Sequence, residues 1–423
     1  MQDRSYQIVA ASLLAAFTAL QVIILFVFGY TPYPDSEGYL YLAADCIREG
    51  EPYPVSSQVC TLPFLWNIGA IDAVALSLWL TGSVKPLLIG YCLLKGATAW
   101  LVWRLAYQLF NKHQVALTVL LLYVLYPANY GEATATLSEL PFMFFAMAAL
   151  VCSLSRHNLS AGLLLAIANW FRPMALVLIV VLILYHLFTQ RKSSIRPIAR
   201  LSAGYIAAVG LIGASVWLRT GCFAYQAMTG WMNLYQYSVL FSPDADAQLR
   251  QFPDGDPKYI ANAETLTFVE KDAVWRREAL QWIAGHPAEY VRQMPDKLLK
   301  TYISDNVNMC TFLSHKEQRA YLYDEVSMPS LLRDWKHPSF AQALALINLL
   351  YYYLLLIGFA AGCAVLYRCR LYAPLLLCAA VCIVNTLLIV LAAHGETRYH
   401  LMQMPFIIIV CATLIRRPDA VKP

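Results

Sequence analysis

Residues 6–29, YQIVAASLLAAFTALQVIILFVFG, run for two dozen positions without a charged side chain. A helix of about 20 apolar residues crosses a hydrocarbon core roughly 30 Å thick, and a helix satisfies its own backbone where no water is available. Comparable runs recur at 84–109, 113–129, 137–155, 158–171, 173–189, 198–218, 342–367, 371–393 and 401–415. They predict an all-α polytopic membrane protein with about ten transmembrane helices. Composition agrees: 59% of the residues are hydrophobic and 13% charged, where soluble domains carry about 25% charged residues. The first run exceeds the apolar stretch of a cleaved leader, so it reads as a retained signal anchor. The net charge of +5 sits in short basic clusters between apolar runs. That pattern argues against a nucleic-acid partner and for a lipid bilayer as the chain's surroundings.

Those clusters orient the chain. Arg4 precedes the first run. Lys112 with His113, Arg156, then Arg191, Lys192, Arg196 and Arg200 occupy alternate connections, and Arg368, Arg370, Arg416, Arg417 and Lys422 continue the series. Lys and Arg accumulate on the cytoplasmic side, which predicts a multi-pass protein of the cell's inner membrane with both termini cytoplasmic. Residues 62–80, LPFLWNIGAIDAVALSLWL, would make an eleventh span and invert every later loop. They also carry Asp72, costly at bilayer depth, so the segment reads as an amphipathic helix on the outer surface.

Three parts follow: an N-terminal transmembrane module over 1–218 with an acidic first outer loop at 30–83, an extracytoplasmic region over 219–341, and C-terminal transmembrane helices over 342–423. Cys46, Cys60, Cys222 and Cys310 would all face an oxidising compartment. The pairs Cys46–Cys60 and Cys222–Cys310 are open to them, and so are free thiols.

Polar residues collect on the predicted outer side. The stretch YTPYPDSEGYLYLAADC, residues 30–46, places Asp35, Glu37 and Asp45 just after the first run, among Tyr33, Tyr39 and Tyr41. Tyrosines at that level are ordinary belt residues. GEATATLSELPF adds Glu132 and Glu139, where Glu139 would also suit a helix N-terminus. NWFRPMAL adds Arg172, otherwise an ordinary turn residue. AAHGETRYHLMQMPF, 392–406, brings His394, Glu396, Arg398, Tyr399 and His400 into a strongly apolar third of the chain. Carboxylates act as general bases toward hydroxyls, and arginine forks bind phosphate oxygens and stabilise a leaving phosphate. The set suits chemistry on an anionic, lipid-borne substrate. A carboxylate pair such as Asp35 and Glu139 also offers oxygen ligands to Mg²⁺ or Mn²⁺.

Taken in order, PDSEGYLYLAADCIREGEPYP, the surface helix after it, SELPF, FRP, WIAGHPAEYVRQMPDKLLKTYISD and ETRYHLMQMP resemble the GT-C superfamily of membrane glycosyltransferases. The likeness is to bacterial relatives of the protein O-mannosyltransferases and the lipid A aminoarabinose transferase. It implies a GT-C-like bundle with juxtamembrane helices on the outer side and a large late extracytoplasmic loop. It also implies transfer of a sugar, with inversion, from a polyprenyl-phosphate donor to a hydroxyl on a lipid, glycan or protein acceptor. Asp35 matches the family's essential first-loop acid and Glu139 its second acid. The mannosyltransferases often carry two adjacent acids, whereas Ser36 separates Asp35 from Glu37 here. Arg398 matches an arginine–tyrosine motif and implies a contact to donor phosphate, with Arg172 a second such contact and His394, Glu396 and Tyr399 near the substrate.

Two other classes stay open. A polysaccharide ligase or polymerase using undecaprenyl diphosphate would draw on Arg276, Arg277, His286, Arg292 and His315 of the late loop. A lipid-linked sugar transporter would show paired halves and charges at the bilayer midplane; neither pattern is evident.

Overall fold

The structure, a computed structural model, describes residues 2–31, 33–50, 66–239, 265–312 and 338–418. Helices and short 3₁₀ or π turns make up its regular structure, with no strand among the described residues. In chain order the helices are α1 (Gln2–Phe28), α2 (Pro34–Glu49), α3 (Ile68–Thr81), α4 (Lys85–Phe110) and α5 (His113–Leu125). There follow α6 (Glu139–Leu154), α7 (Asn158–Phe171), α8 (Ala175–Gln190), α9 (Ile195–Thr220), α10 (Gly230–Leu234), α11 (Phe268–Gly285) and α12 (Pro287–Tyr302). The last three are α13 (Phe340–Arg368), α14 (Tyr372–Ala392) and α15 (Met404–Ile415).

Among the described residues six stretches are long and apolar enough to cross a membrane: Asp3–Phe28, Lys85–Phe110, Ala175–Thr220, Gln342–Arg368, Tyr372–Ala392 and Thr397–Ile415. Helix α5 with the 3₁₀ turns after it makes a seventh if a pair bent by 73° counts as one. The sequence reading of ten is therefore matched in part. Helices α6 and α7 are apolar but shorter than a full span, and Ala175–Thr220 is two helices broken at the turn Arg191–Ser194.

The main core joins α1, α4 to α9 and α13 to α15. Helices α7 and α9 cross closely because glycines meet at the contact. A Cβ on Gly162 would stand 2.0 Å from the Leu201 carbonyl, and one on Gly204 would stand 2.2 Å from that of Leu159. Small residues permit this approach where lipid provides no hydrophobic drive between helices.

One end of the bundle gathers the basic connections. His113 approaches Asp3 there, Gln114 donates to the Tyr6 hydroxyl, and Gln108 donates to Ser155 beside Arg156. The opposite end is capped by a second, smaller core, in which Tyr39, Leu42 and Ala43 of α2 meet Ile68, Ile71 and Val74 of α3 and Trp275 and Ala279 of α11. Helix α3 buries that stripe and leaves Leu76, Trp79 and Leu80 exposed.

Local chemistry shapes this end. The sequence reads 30–83 as a loop, yet its beginning is helical. Pro34 at the first helical position and Asp35 and Glu37 in the first turn are favourable helix openers. Pro173 disfavours helical geometry in the residue before it, so α7 stops and Arg172 is extended at φ −155°, ψ 129°. The last predicted span, 401–415, is helical from Met404, preceded by a 3₁₀ turn at Thr397–Gln403 that carries Arg398.

Cys60 and the side chain of Cys310 lie outside the described residues, as does His315. Neither cysteine pairing is therefore placed.

Candidate functional site

Four separated segments deliver charge to one point at the capped end. Asp35 comes from the first turn of α2, Glu139 opens α6, Arg172 follows α7, and Glu396 with Arg398 flank the start of the Thr397–Gln403 turn. Backbone and side-chain bonds hold the first two segments together: Thr31 N donates to the Thr134 carbonyl at 3.0 Å, and the Tyr30 and Thr136 hydroxyls lie 3.1 Å apart.

Arg398 is the hub. Its Nη1 lies 2.5 Å from Asp35 Oδ2 and 3.6 Å from Glu139 Oε1, while its Nε lies 2.6 Å from Glu396 Oε1. Arg172 closes the group from the other side, with Nη1 2.6 Å from Glu139 Oε1. One carboxylate oxygen thus stands between two guanidiniums. Ser138 Oγ donates to the other oxygen of Glu139 at 3.2 Å and accepts from Asn67 Nδ2 at 3.2 Å, and Asn67 also donates to the Tyr39 hydroxyl at 2.6 Å.

His394 Nε2 lies 3.3 Å from Glu396 Oε2. The Tyr399 hydroxyl reaches the His394 ring at 3.5 Å, and the Arg172 guanidinium lies 5.6 Å over the Tyr399 ring. Burial by itself would raise the Glu396 carboxyl, but the Arg398 guanidinium and His394 outweigh it and hold the group below the usual carboxylate range. Side-chain exposure is 6% for Glu139, 11% for Arg172, 17% for Arg398, 28% for Asp35 and 29% for Glu396. Asp35 and Glu396 therefore form the accessible edge, with Glu139 beneath them.

Seven of the residues singled out from sequence meet here: Asp35, Glu139, Arg172, His394, Glu396, Arg398 and Tyr399. Glu37 does not. Positions two apart on a helix point to different faces, and Glu37 is exposed while Asp35 turns toward Arg398. Asp45 pairs with Arg48 one turn on, and Glu132 pairs with Lys95 inside the bundle.

His400 does not join the charged group. It is buried, with Nδ1 2.7 Å from the Thr301 carbonyl and Nε2 3.0 Å from Asp305 Oδ1. A carbonyl only accepts, so Nδ1 carries a proton and the ring ties the Arg398 turn to the end of α12. Burial raises the Asp305 carboxyl, opposed by the bond to His400.

The sequence reading missed Ser138, Asn67, Lys95 and Asp305. Lys95 was visible as a cation inside an apolar run, and Asp305 as the end of the quoted 282–305 motif. Ser138 stood in the quoted SELPF motif beside Glu139, whereas Asn67 has no signal outside the tertiary structure.

A guanidinium stands between Asp35 and Glu139 in this arrangement. The Arg398 Nη1 stands within 3.6 Å of both carboxylates, in the space where a divalent cation would sit. Comparison with family models, with curated proteins and with solved structures finds no match.

Proposed function

We propose that the protein is a membrane glycosyltransferase that moves a sugar from a polyprenyl-phosphate donor to an acceptor hydroxyl, with inversion. One observation carries the reading: three carboxylates and two arginines from four distant segments converge at a single, partly accessible point at one end of an apolar bundle. Buried charge is costly, and sets of this kind concentrate at functional sites.

In this reading α1, the bent α5 segment, α4, α6 to α9 and α13 to α15 supply ten spans. Both termini and the basic connections are cytoplasmic, and the charged group faces the outer side of the inner membrane. The acceptor hydroxyl donates to Asp35, the accessible carboxylate of the pair on Arg398 Nη1. As its oxygen bonds to the anomeric carbon, the bond from that carbon to the phosphate oxygen breaks, the phosphate leaves with the electron pair, and the proton passes to Asp35. Arg398 shifts from carboxylate toward the leaving phosphate, where its fork stabilises the charge that develops. Glu139, held by Arg172 and Ser138, keeps Arg398 in place. His394, Glu396 and Tyr399 border the sugar. Donor sugar and acceptor class, whether lipid, glycan or protein, are set by contacts beyond this group.

Of the residues that a diphosphate-using ligase would draw on, Arg276 lies over the Trp231 ring, Arg277 pairs with Glu278, and Arg292 is exposed. The transferase reading is tested by release of polyprenyl phosphate from a panel of polyprenyl-phosphate sugars, comparing purified wild type with Asp35→Asn. Release by wild type only is expected, with insertion and yield unchanged in the variant. Equal turnover by Asp35→Asn removes Asp35 from the reaction, and no release from any donor with candidate acceptors present removes the transferase reading.

A further inference from the structure

Helix α12 packs against α14 and the Thr397–Gln403 turn, and it carries a buried lysine that the site described above does not use. Lys297 is 3% exposed. Its ammonium lies 5.7 Å over the Tyr290 ring, two turns earlier on the same helix, and among the described residues no carboxylate stands within ion-pair distance of it. The other buried or nearly buried lysine and arginine side chains described here each have one: Lys95 has Glu132, Arg172 has Glu139, and Arg398 has Asp35, Glu139 and Glu396. An enclosed cation without a counter-ion is expensive, and such a position fits one that receives its anion from a ligand.

The location supports this. The Lys297 carbonyl packs on Gly395, between His394 and Glu396; a Cβ on Gly395 would come within 2.1 Å of that oxygen. Only glycine lets the turn lie so close to the helix. The Tyr290 hydroxyl donates to the Leu391 carbonyl, which anchors the ring under the ammonium to the last turn of α14. The α12 backbone at Lys297 thus forms the floor of the loop that presents Glu396 and Arg398. The charged group itself holds three carboxylates against two guanidiniums, so it carries no surplus positive charge to attract a phosphate.

We propose that Lys297 binds the phosphate of the lipid-linked substrate, acting as the uncompensated cation that draws the anionic head group to the site. The proposal rests on the transferase reading only for what the lipid carries; the chemistry recognised is a polyprenyl phosphate. Burial holds the Lys297 ammonium down at about 8. Its charge in the empty site is therefore lost as pH rises through that value, and binding weakens with it.

The test is calorimetric titration of the full-length protein in detergent with undecaprenyl monophosphate and, separately, with uncharged undecaprenol. Wild type is expected to prefer the phosphate, with affinity falling above about pH 8. Lys297→Met should lose roughly 10- to 100-fold in phosphate affinity, the range for a hydrogen bond to a charged partner, while keeping undecaprenol affinity. Lys297→Arg should restore phosphate binding and remove its decline at high pH. Wild-type binding that ignores the phosphate, or unchanged phosphate affinity in Lys297→Met, overturns the proposal. So does equal loss of both ligands, which marks damaged packing. Phosphate-selective binding without sugar release by wild type leaves Lys297 assigned and removes the transferase reading. Sugar release with full phosphate affinity in Lys297→Met does the reverse.

Discussion

Replacing Arg398 with glutamine removes the cation that touches Asp35, Glu139 and Glu396 together. Breaking a buried ion pair costs about 3–5 kcal/mol because the partner charge is left behind. Here Glu139 keeps Arg172, and Asp35 and Glu396 retain 28% and 29% exposure to solvent. The lower end, about 3 kcal/mol, is therefore expected, which lowers Tm by roughly 3–6 °C in a chain of this length.

The double variant Arg398→Gln/Glu396→Gln should lose less than the two single losses added, by about 1–2 kcal/mol of coupling. The pH dependence reverses sign. In wild type the folded Glu396 carboxyl is held below its unfolded value near 4.3. Its contribution is complete above that pH and is lost as pH falls through the folded value. In Arg398→Gln the burial of Glu396 is no longer opposed by that guanidinium, so its carboxyl moves up and acidification relieves the variant. Thermal unfolding followed by tryptophan fluorescence, for all four proteins across this pH range, reads both effects. An additive cycle, or the same acid limb in wild type and Arg398→Gln, refutes the assignment of Arg398 as the hub.

Other outcomes follow from the same geometry. Glu37→Gln should leave sugar transfer within about twofold of wild type, because its side chain faces away from Arg398; a tenfold loss in the release assay would place it in the site after all. Chelation with EDTA should leave turnover unchanged, since a guanidinium occupies the space between Asp35 and Glu139; loss restored by Mg²⁺ or Mn²⁺ would show a rearranged, metal-holding site. Lys95→Met strands Glu132, whose side chain is 5% exposed, and should cost about 3–5 kcal/mol of stability. Lys95→Met/Glu132→Gln should recover most of it, as measured by Tm, and a double variant no better than the single one would contradict the pairing.

The sequence by itself determined the class of the protein. Apolar runs of bilayer length admit an all-helical bundle because lipid offers no partner for an open backbone. Local chemistry also set the ends that matter, with Pro34 opening α2 and Pro173 ending α7. Seven of the eight residues offered for the site were legible because polar groups are conspicuous in a chain this apolar.

Which of them meet was decided only by the tertiary structure. Glu37 and Asp35 look equivalent two positions apart, and helical geometry separates them. Glu132 and Glu139 look equivalent seven apart, yet the 3₁₀ turn at Glu132–Thr134 and extended backbone at Ala135 send the first to Lys95 and the second to the two arginines. The break at Arg191–Ser194 falls in the basic connection between the runs 173–189 and 198–218, whereas the bend after α5 falls inside the run 113–129, where a hydropathy pattern does not register it. Lys297 shows the limit most clearly. In sequence it is one lysine in a polar helix, and only packing against Gly395 and Tyr290 shows that it is enclosed, because burial arises from contacts between segments far apart in the chain.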